Sequence, residues 1–566
     1  MSRQAPGFLS GERGTYRKKW GRQLLPVALL FPNRYSLAVS NLGWQLVYDL
    51  LNEQPQVVAE RFVSPAAGQP LRSLESGRPL RDFALVCYSL SFEGDSLELL
   101  RLLVAGGLPP AAADRDESYP LVLGGGVGVW LNPEPLAPAT DLFVLGEAEV
   151  ALPPVLAWLL AHDLQMPRHR LLSQVATVSS ACYVPAHYQP HYAADGELLE
   201  ISATAPAPAR IRPPVLRDPA VAGYSRLLSP QAEFSNLFLV ELGRGCSRAC
   251  RFCAAGFIYR PPRLWSREAI LAALEHCPPE IDRVGLLGME MAAPETLAAI
   301  SQAIMARGAR LSFSSLRADA LTPELLELLA ASRVKTATLA PDGASQRLRQ
   351  VINKGLAEDD ILAAGDRLAA LGIGTLKLYC MIGLPTEEDD DLAELVAMLR
   401  RLQKVLLVGG RQRGRLTKIR LSVSSFVPKP GTPFQYHPFA GVAPLQRRLR
   451  WLRRELAGEA NIQLAAEPPE QAYFQAVLAR GDRRLGQALL AMAATTGNWR
   501  QQLQAAGVDP ARYAGGRRLS GEIFPWEIVD GGVKPGFLAA EYRRALAGQP
   551  GESCQVESCR RCGVCG

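Results

Sequence analysis

The chain has 566 residues, too many for one hydrophobic core, so roughly two to four domains are expected. Apolar residues make up 48% and charged residues 21%, the balance of a soluble globular protein, and the net charge of +7 permits anionic partners without requiring a nucleic-acid surface. Basic residues from Arg13 to Arg22 precede the run LLPVALLF, which is too short and proline-broken to span a bilayer or make a good signal peptide. No other stretch reads as a membrane span, and the cytoplasm is the expected location.

Residues 24 to about 160 alternate strand-like and helix-like segments. Val27–Phe31, Ser36–Val39 and Phe83–Leu90 read as extended, and Gly43–Leu51 carries Trp44, Val47, Tyr48 and Leu51 at helical spacing. The helix-like SLELLRLLVAGG follows, then PLVLGGG (120–126) and DLFVLGEAE (141–149), then the helix-like ALPPVLAWLLA. Such βα alternation predicts an α/β, Rossmann-like, doubly wound parallel sheet over residues 1–164. Ligands of such sheets lie beyond the carboxyl ends of the strands, where Gly124, Gly125, Gly126 and Gly146 let a ligand approach the backbone.

Residues 165–235, rich in proline, alanine and arginine, read as a partly irregular, β-containing connector. Six strand candidates then start near 237, 283, 310, 336, 375 and 418, with helix-like segments between them. This plan predicts an open, partial (β/α)6 barrel over 236–440, with its chemistry at the carboxyl strand ends. Residues 441–550 read as mainly helical, and 551–566 form a cysteine-rich tail.

Seven of the eleven cysteines fall into two groups, 246/250/253 and 554/559/562/565. Clustering at such spacing favours metal or iron–sulfur binding over disulfides. Cys87, Cys182, Cys277 and Cys380 stand alone and read as buried thiols. The first group, GRGCSRACRFC (243–253), spaces its thiols C-x3-C-x2-C directly after the first barrel strand. Three thiolates can hold three corners of a 4Fe–4S cubane and leave one iron open for a small chelator. Zinc would need a distant fourth ligand, with His276, Cys277 or Cys380 as candidates, and an unliganded chance grouping is the third alternative.

C-x3-C-x2-C with an aromatic residue, Phe252, before the third cysteine resembles the radical S-adenosylmethionine (SAM) superfamily. The resemblance implies that Cys246, Cys250 and Cys253 hold a 4Fe–4S cluster and that SAM chelates the open iron. It implies reductive cleavage of SAM to methionine and a 5′-deoxyadenosyl radical, driven by a one-electron reductant such as flavodoxin or ferredoxin. Other segments fit the superfamily pattern. GME (288–290) stands where the family often has Gly-Gly-Glu, with Gly288 and Glu290 facing the SAM ammonium and Met289 as a departure. MIGLPTE (381–387) resembles the glycine-containing segment beside the adenine and brings Gly383 and Pro385. SLRAD (315–319) and APDGASQRLRQVINKG (340–355) offer Arg317, Asp342 and Ser345 as SAM ribose or carboxylate contacts; salt bridges and helix capping are their ordinary alternatives.

Residues 121–149 resemble the second half of a cobalamin-binding-type domain. Together with 31–52, 72–93 and RGDRRLGQAL (480–489), they resemble an uncharacterised group of radical SAM proteins with such N-terminal domains and a cysteine-rich C-terminus. Many cobalamin domains carry an Asp-x-His-x-x-Gly segment whose histidine ligates cobalt, but the first histidine here is His162. A corrinoid bound by this domain would lack an axial histidine from it.

The tail spacing C-x4-C-x2-C-x2-C at Cys554, Cys559, Cys562 and Cys565 suits a second iron–sulfur cluster or a closed zinc site. The leading expectation is a radical SAM enzyme, with cobalamin-dependent methyl transfer to an unactivated carbon as its narrower form. The alternatives are methylthiotransferase-like tRNA modification, suggested by FVPKPGTPF (426–434) and the basic run RQRGRLTKIR (411–420), and a non-catalytic cluster protein for electron transfer or redox sensing. No residue pattern identifies the substrate.

Overall fold

The computed structural model describes residues 9–288, 292–313, 315–519 and 521–565, with the side chains of 411–413 left aside. The first sheet contains β1 (Leu25–Phe31), β2 (Val57–Val63), β3 (Leu85–Ser89), β4 (Leu121–Gly125), β5 (Leu142–Val144) and β6 (Cys182–Tyr183), in the order β2-β1-β3-β4-β5-β6. β1 to β5 are parallel, while β6 runs antiparallel to β5. This is the flavodoxin-like doubly wound order, whose strand direction of travel switches between β1 and β3.

Two segments differ from the sequence-based expectation. Ser36–Val39 was expected to be extended, but Tyr35–Ala38 forms a helical turn that buries Tyr35 and Ala38, three residues apart. β2 carried no strand signal because VVAERFV places two charges inside it. All seven residues are buried, and both charges have partners. Glu60 accepts from Trp20 Nε1 at 2.6 Å, and Arg61 pairs with Glu75 at 2.6 Å and Glu12 at 2.5 Å. Glu12 and Trp20, from the segment before the sheet, thus partner both charges of its edge strand.

A short antiparallel hairpin, β7 (Tyr188–Tyr192) and β8 (Leu198–Ala203), occupies the connector. The second parallel system then begins at β9 (Phe238–Glu241). A two-residue antiparallel pair, β10 (Gly243–Arg244) with β11 (Arg263–Leu264), closes the cysteine-bearing loop at its base. Next come β12 (Arg283–Leu287), β13 (Arg310–Phe313), β14 (Thr336–Asp342), β15 (Thr375–Ile382), β16 (Lys418–Ser425) and β17 (Ile462–Ala466). They pair in parallel as β9-β12-β13 and β14-β15-β16-β17, and a Leu316–Leu339 bridge joins the two groups. The six expected strands are all present. β17 adds a seventh in a region expected to be mainly helical, and only Ile462 of its five residues is buried, so its pattern was weak.

The two systems share a core. On β1, Val27, Leu29 and Phe31 face one buried cluster, whereas Ala28 and Leu30 belong to the same cluster as the interior of the second system. RGDRRLGQAL is the clamp between them. Asn132 Nδ2 donates to the carbonyls of Ala479 (3.0 Å) and Gly481 (2.8 Å), and Arg483 pairs with Glu134 at 3.0 Å. Gly486 leaves no room for a side chain, since a Cβ there would stand 2.6 Å from the Pro135 carbonyl oxygen. No helix among the described residues is long and apolar enough to cross a membrane.

Candidate functional site

The cysteine loop leaves the carboxyl end of β9 and is held from several sides. Gly245 takes φ +85°, and a Cβ there would lie 2.6 Å from the Tyr259 carbonyl oxygen, so the loop entry requires glycine. Ala249 also has positive φ, at +57°. The Cys253 N–H donates to the Cys250 carbonyl, and the Gly256 N–H donates to that of Cys253, both at 3.1 Å. Between these thiols the fully buried Arg251 points inward. It donates to the carbonyls of Gln350 and Val351 and pairs with Glu541 at 3.1 Å. Phe252 packs against the main core.

Burial pushes the Cys250 thiol up to about 12 and raises that of Cys253. Buried thiols at such values stay protonated until a metal takes the proton's place. Lys354 and Arg317 act electrostatically on this loop, Lys354 on Cys250 and Cys253, and Arg317 on Cys246 and Cys250. Lys354 pairs with Asp342 at 2.6 Å and Arg317 with Asp319 at 2.7 Å. Asp342 ends β14 at φ +60°. The fold therefore gathers Cys246, Cys250, Cys253, Arg317 and Asp342 at adjoining carboxyl strand ends. Three half-buried thiols beside two cations are a donor set that fits an anionic thiolate-bound iron–sulfur cluster. Among the described residues, no three His, Cys, Asp or Glu side chains stand close enough together to hold a single metal ion.

The other expected residues divide. Gly288 follows β12, while Glu290 lies outside the described residues. Ser345 is fully buried, its Oγ accepting from the Leu348 N–H at 3.0 Å and donating to Asp391, so it caps the helix Gln346–Val351. Gly383 follows β15, the neighbour of β14, at φ +82°; its N–H and that of Leu384 both donate to Glu387 Oε2, at 2.9 and 3.1 Å. Pro385 is buried in the same turn, and Arg448 pairs with Glu387 at 3.0 Å. Sequence reasoning gave no role to Lys354, Arg251 or Asn353. Asn353, at φ +55°, donates to the carbonyls of Arg248 and Ala249. An Asn-Lys-Gly turn after a helix was the available signal.

Two cavities lie beyond the carboxyl ends of the first sheet. One, of about 70 Å³, is lined by Cys87, Tyr88, Gly124, Gly125, Gly126 and Gly146. The second, of about 310 Å³, opens between the two systems and includes Ser89, Gly126, Trp130, Gly146, Glu241 and Tyr259. Three of the four glycines have packing reasons. A Cβ on Gly124 would collide with the Tyr88 hydroxyl; one on Gly126 would stand 2.5 Å from the Leu90 carbonyl oxygen, and one on Gly146 2.7 Å from that of Pro214. Gly125 alone has room, with its nearest neighbour at 3.7 Å. Glu147 and Glu149 reach from this edge to the base of the cysteine loop, pairing with Arg244 at 3.3 and 2.6 Å, while Glu147 also holds Arg263.

A third cavity, of about 590 Å³, lies along the segment after Cys253. Its walls include Trp130, Phe257, Arg260, Trp526, Lys534 and Val564.

Comparison with known proteins fits this layout. Residues 240–399 match the model of the radical SAM superfamily, and residues 43–185 match that of the N-terminal region of radical SAM proteins. The chain belongs to the radical SAM superfamily. An uncharacterised protein of Methanocaldococcus jannaschii is 26% identical over 467 residues, covering 82% of this chain and 90% of its own. Among solved structures, the cobalamin-dependent S-adenosylmethionine radical enzyme OxsB with aqua-cobalamin bound aligns with a TM-score of 0.47 at 12% identity, covering 93% of this chain and 81% of that one. The radical S-adenosylmethionine methyltransferase TsrM from Kitasatospora setae, with tryptophan and a SAM analogue bound, gives 0.44 at 14% identity, covering 75% and 76%. The radical SAM core model spans β9 to the helix Asp389–Arg413 and so includes the cysteine loop, Arg317, Asp342 and Gly383.

Proposed function

We propose that this radical SAM protein is an enzyme whose Cys246, Cys250 and Cys253 hold a 4Fe–4S cluster that binds and reductively cleaves SAM. The observation that carries this is the three-thiol loop, fixed at the end of the first barrel strand with Arg317 and Lys354 beside it. When bound, the cluster and SAM supply one-electron cleavage and a carbon radical able to remove hydrogen from an unactivated position. The chain's own residues do the remaining work. Arg251 and Asn353 hold the loop in shape. Lys354 and Arg317 offset thiolate charge. Gly288 leaves backbone partly open at the end of β12, where SAM would lie, while Gly383 shapes the buried turn after β15. The 590 Å³ cavity, within the usual size range of small-molecule sites, would admit the substrate. A small one-electron carrier of the flavodoxin or ferredoxin kind would supply the reductant.

The N-terminal crevice favours cobalamin as a second cofactor. Gly125 is open at the strand end in the 70 Å³ cavity, and the 310 Å³ cavity combines Gly126 and Gly146 with the rings of Trp130, Tyr224 and Tyr259 and the charged side chains of Arg226, Glu241 and Arg244. Among its lining residues there is no histidine, so a corrinoid would sit without an imidazole from this domain. Bound cobalamin would supply methyl-group transfer.

The test is oxygen-free purification, reconstitution with iron and sulfide, and incubation with SAM and dithionite. We expect 5′-deoxyadenosine from the wild type and none from Cys250→Ala; a fully loaded wild-type cluster that yields none would overturn the proposal. Corrinoid is measured on the same material by its visible spectrum after incubation with hydroxocobalamin and gel filtration. Protein that emerges without corrinoid would remove the second cofactor while leaving the first reading standing.

A further inference from the structure

The four cysteines of the tail have no part in the chemistry above, yet the tail is stitched to the SAM-binding loop. Arg251 donates to the Gln549 carbonyl at 2.8 Å, and the Gly551 N–H donates to Asn353 Oδ1 at 2.8 Å, the same asparagine that holds Arg248 and Ala249. The Cys554 N–H donates to the Ser247 carbonyl at 2.6 Å, one residue beyond Cys246. Downstream, the Lys534 N–H donates to the Cys562 carbonyl at 2.9 Å, and Gly563, at φ +89°, packs on the Lys534 side chain. Cys554 and Cys562 are buried, and Cys554 lies within electrostatic reach of Cys559, Cys562 and Cys565.

Arg260 supplies an independent observation. It is 5% exposed, with its guanidinium 4.6 Å from the Phe257 ring centre and 5.4 Å from that of Phe537. Its Nε donates to the Gly256 carbonyl at 2.8 Å, and among the described residues no carboxylate forms an ion pair with it. Cys554 lies within its electrostatic reach. A buried cation needs a counter-charge, and four thiolates on a metal centre carry net negative charge. A single zinc ion would draw its four sulfurs to about 3.8 Å from one another, given Zn–S of about 2.3 Å. A cluster that gives each thiolate its own iron takes a wider spread, and among the described residues no three of these thiols stand close enough to share one ion.

We propose that Cys554, Cys559, Cys562 and Cys565 hold an iron–sulfur cluster of their own, seated against the SAM-binding loop, with Arg260 as its buried counter-charge. The site goes beyond the SAM reading and does not depend on it.

The full chain is purified and reconstituted without oxygen in three forms: wild type, Cys246→Ala/Cys250→Ala/Cys253→Ala, and Cys559→Ser/Cys562→Ser. Iron, acid-labile sulfide and zinc are measured per chain, with Mössbauer spectra. The loop variant is expected to retain iron and sulfide in equal amounts, and the tail variant to lose that fraction while still forming 5′-deoxyadenosine. A loop variant carrying zinc, or no metal, overturns the proposal. If the tail variant fails to fold, Arg260→Gln in the loop-variant background decides: losing the cation should move the cluster's midpoint potential in the negative direction, and Arg260→Lys should restore most of it. An unmoved potential removes Arg260 from the site. These outcomes leave the SAM reading untouched, since that reading stands or falls on the wild-type 5′-deoxyadenosine assay.

Discussion

Two parallel sheets in this chain furnish their carboxyl ends differently. The first has glycines at the end of β4 and just after β5, while the second has thiols after β9 and charged pairs at Arg317, after β13, and at Asp342, which ends β14. Glycine at a strand end is ambiguous, because backbone packing and ligand approach both select it. Gly124, Gly126 and Gly146 are accounted for by the former. Thiols gathered beside cations are far less ambiguous, since withdrawing them from water raises a cost that a bound metal offsets. The edge rich in charge thus declares its chemistry, whereas the edge rich in glycine declares mainly its fold.

The sharpest way to break this comparison is to remove one thiol. Cys250→Ala should lower 5′-deoxyadenosine formation to background, well beyond the roughly 10- to 100-fold typical of losing a supporting outer-shell group, as read by chromatography of anaerobic reactions. A smaller but still large effect is expected at the junction of the two edges. Glu147, whose side chain is 2% exposed, faces Arg244 and Arg263 and also accepts from the Leu216 N–H at 2.8 Å. Glu147→Ala leaves two largely buried guanidinium groups short of a partner and should cost about 3–5 kcal/mol, measured by denaturant unfolding. A loss under about 1 kcal/mol would mean that the junction is not held by charge.

The same contrast explains what could be read from the chain alone. The barrel strands were legible because TLKLYCMI and KIRLSVSS bury alternate or continuous apolar residues in six regular βα steps. The cysteine loop was legible because its spacing is chemically restrictive. β2 was not, because Glu60 is hydrogen-bonded by Trp20 and Arg61 is paired with Glu12 and Glu75, partners distant in sequence. Ser345 looked like a ligand contact because a cap and a cofactor contact use the same hydroxyl. Glu147 and Glu149 were visible in DLFVLGEAE, but their partners Arg244 and Arg263 lie about a hundred residues on, beyond any local pattern.

A pH experiment probes the barrel side at intermediate magnitude. Burial, reinforced by Arg517 and Arg480, pushes His437 down from 6.5 to about 4, and its Nδ1 lies 2.9 Å from Tyr542 Oη. The folded state therefore favours the neutral ring. Its contribution is complete above about pH 6.5 and is lost as the pH falls toward 4. At about 1.4 kcal/mol per unit, the full loss is on the order of 3 kcal/mol. The difference in stability between wild type and His437→Gln, followed from pH 7 to pH 4, should shrink on the acid side; a constant difference would sink this assignment.

The finest test separates two adjacent glycines of the first sheet. Gly126 has φ +99°, and a Cβ would fall 2.5 Å from the Leu90 carbonyl oxygen, so Gly126→Ala combines backbone strain with overpacking. It should destabilise the fold by at least about 2 kcal/mol. Gly125 lies within a strand, with nothing nearer than 3.7 Å to the point a methyl group would occupy, so Gly125→Ala should change stability by less than about 0.5 kcal/mol. The two substitutions add the same methyl group one residue apart, and only the second leaves the fold intact while placing that methyl in the crevice. If the crevice holds a corrinoid, Gly125→Ala should lower the corrinoid retained through gel filtration at unchanged unfolding midpoint. Retention equal to the wild type would assign this glycine, like its neighbours, to packing alone.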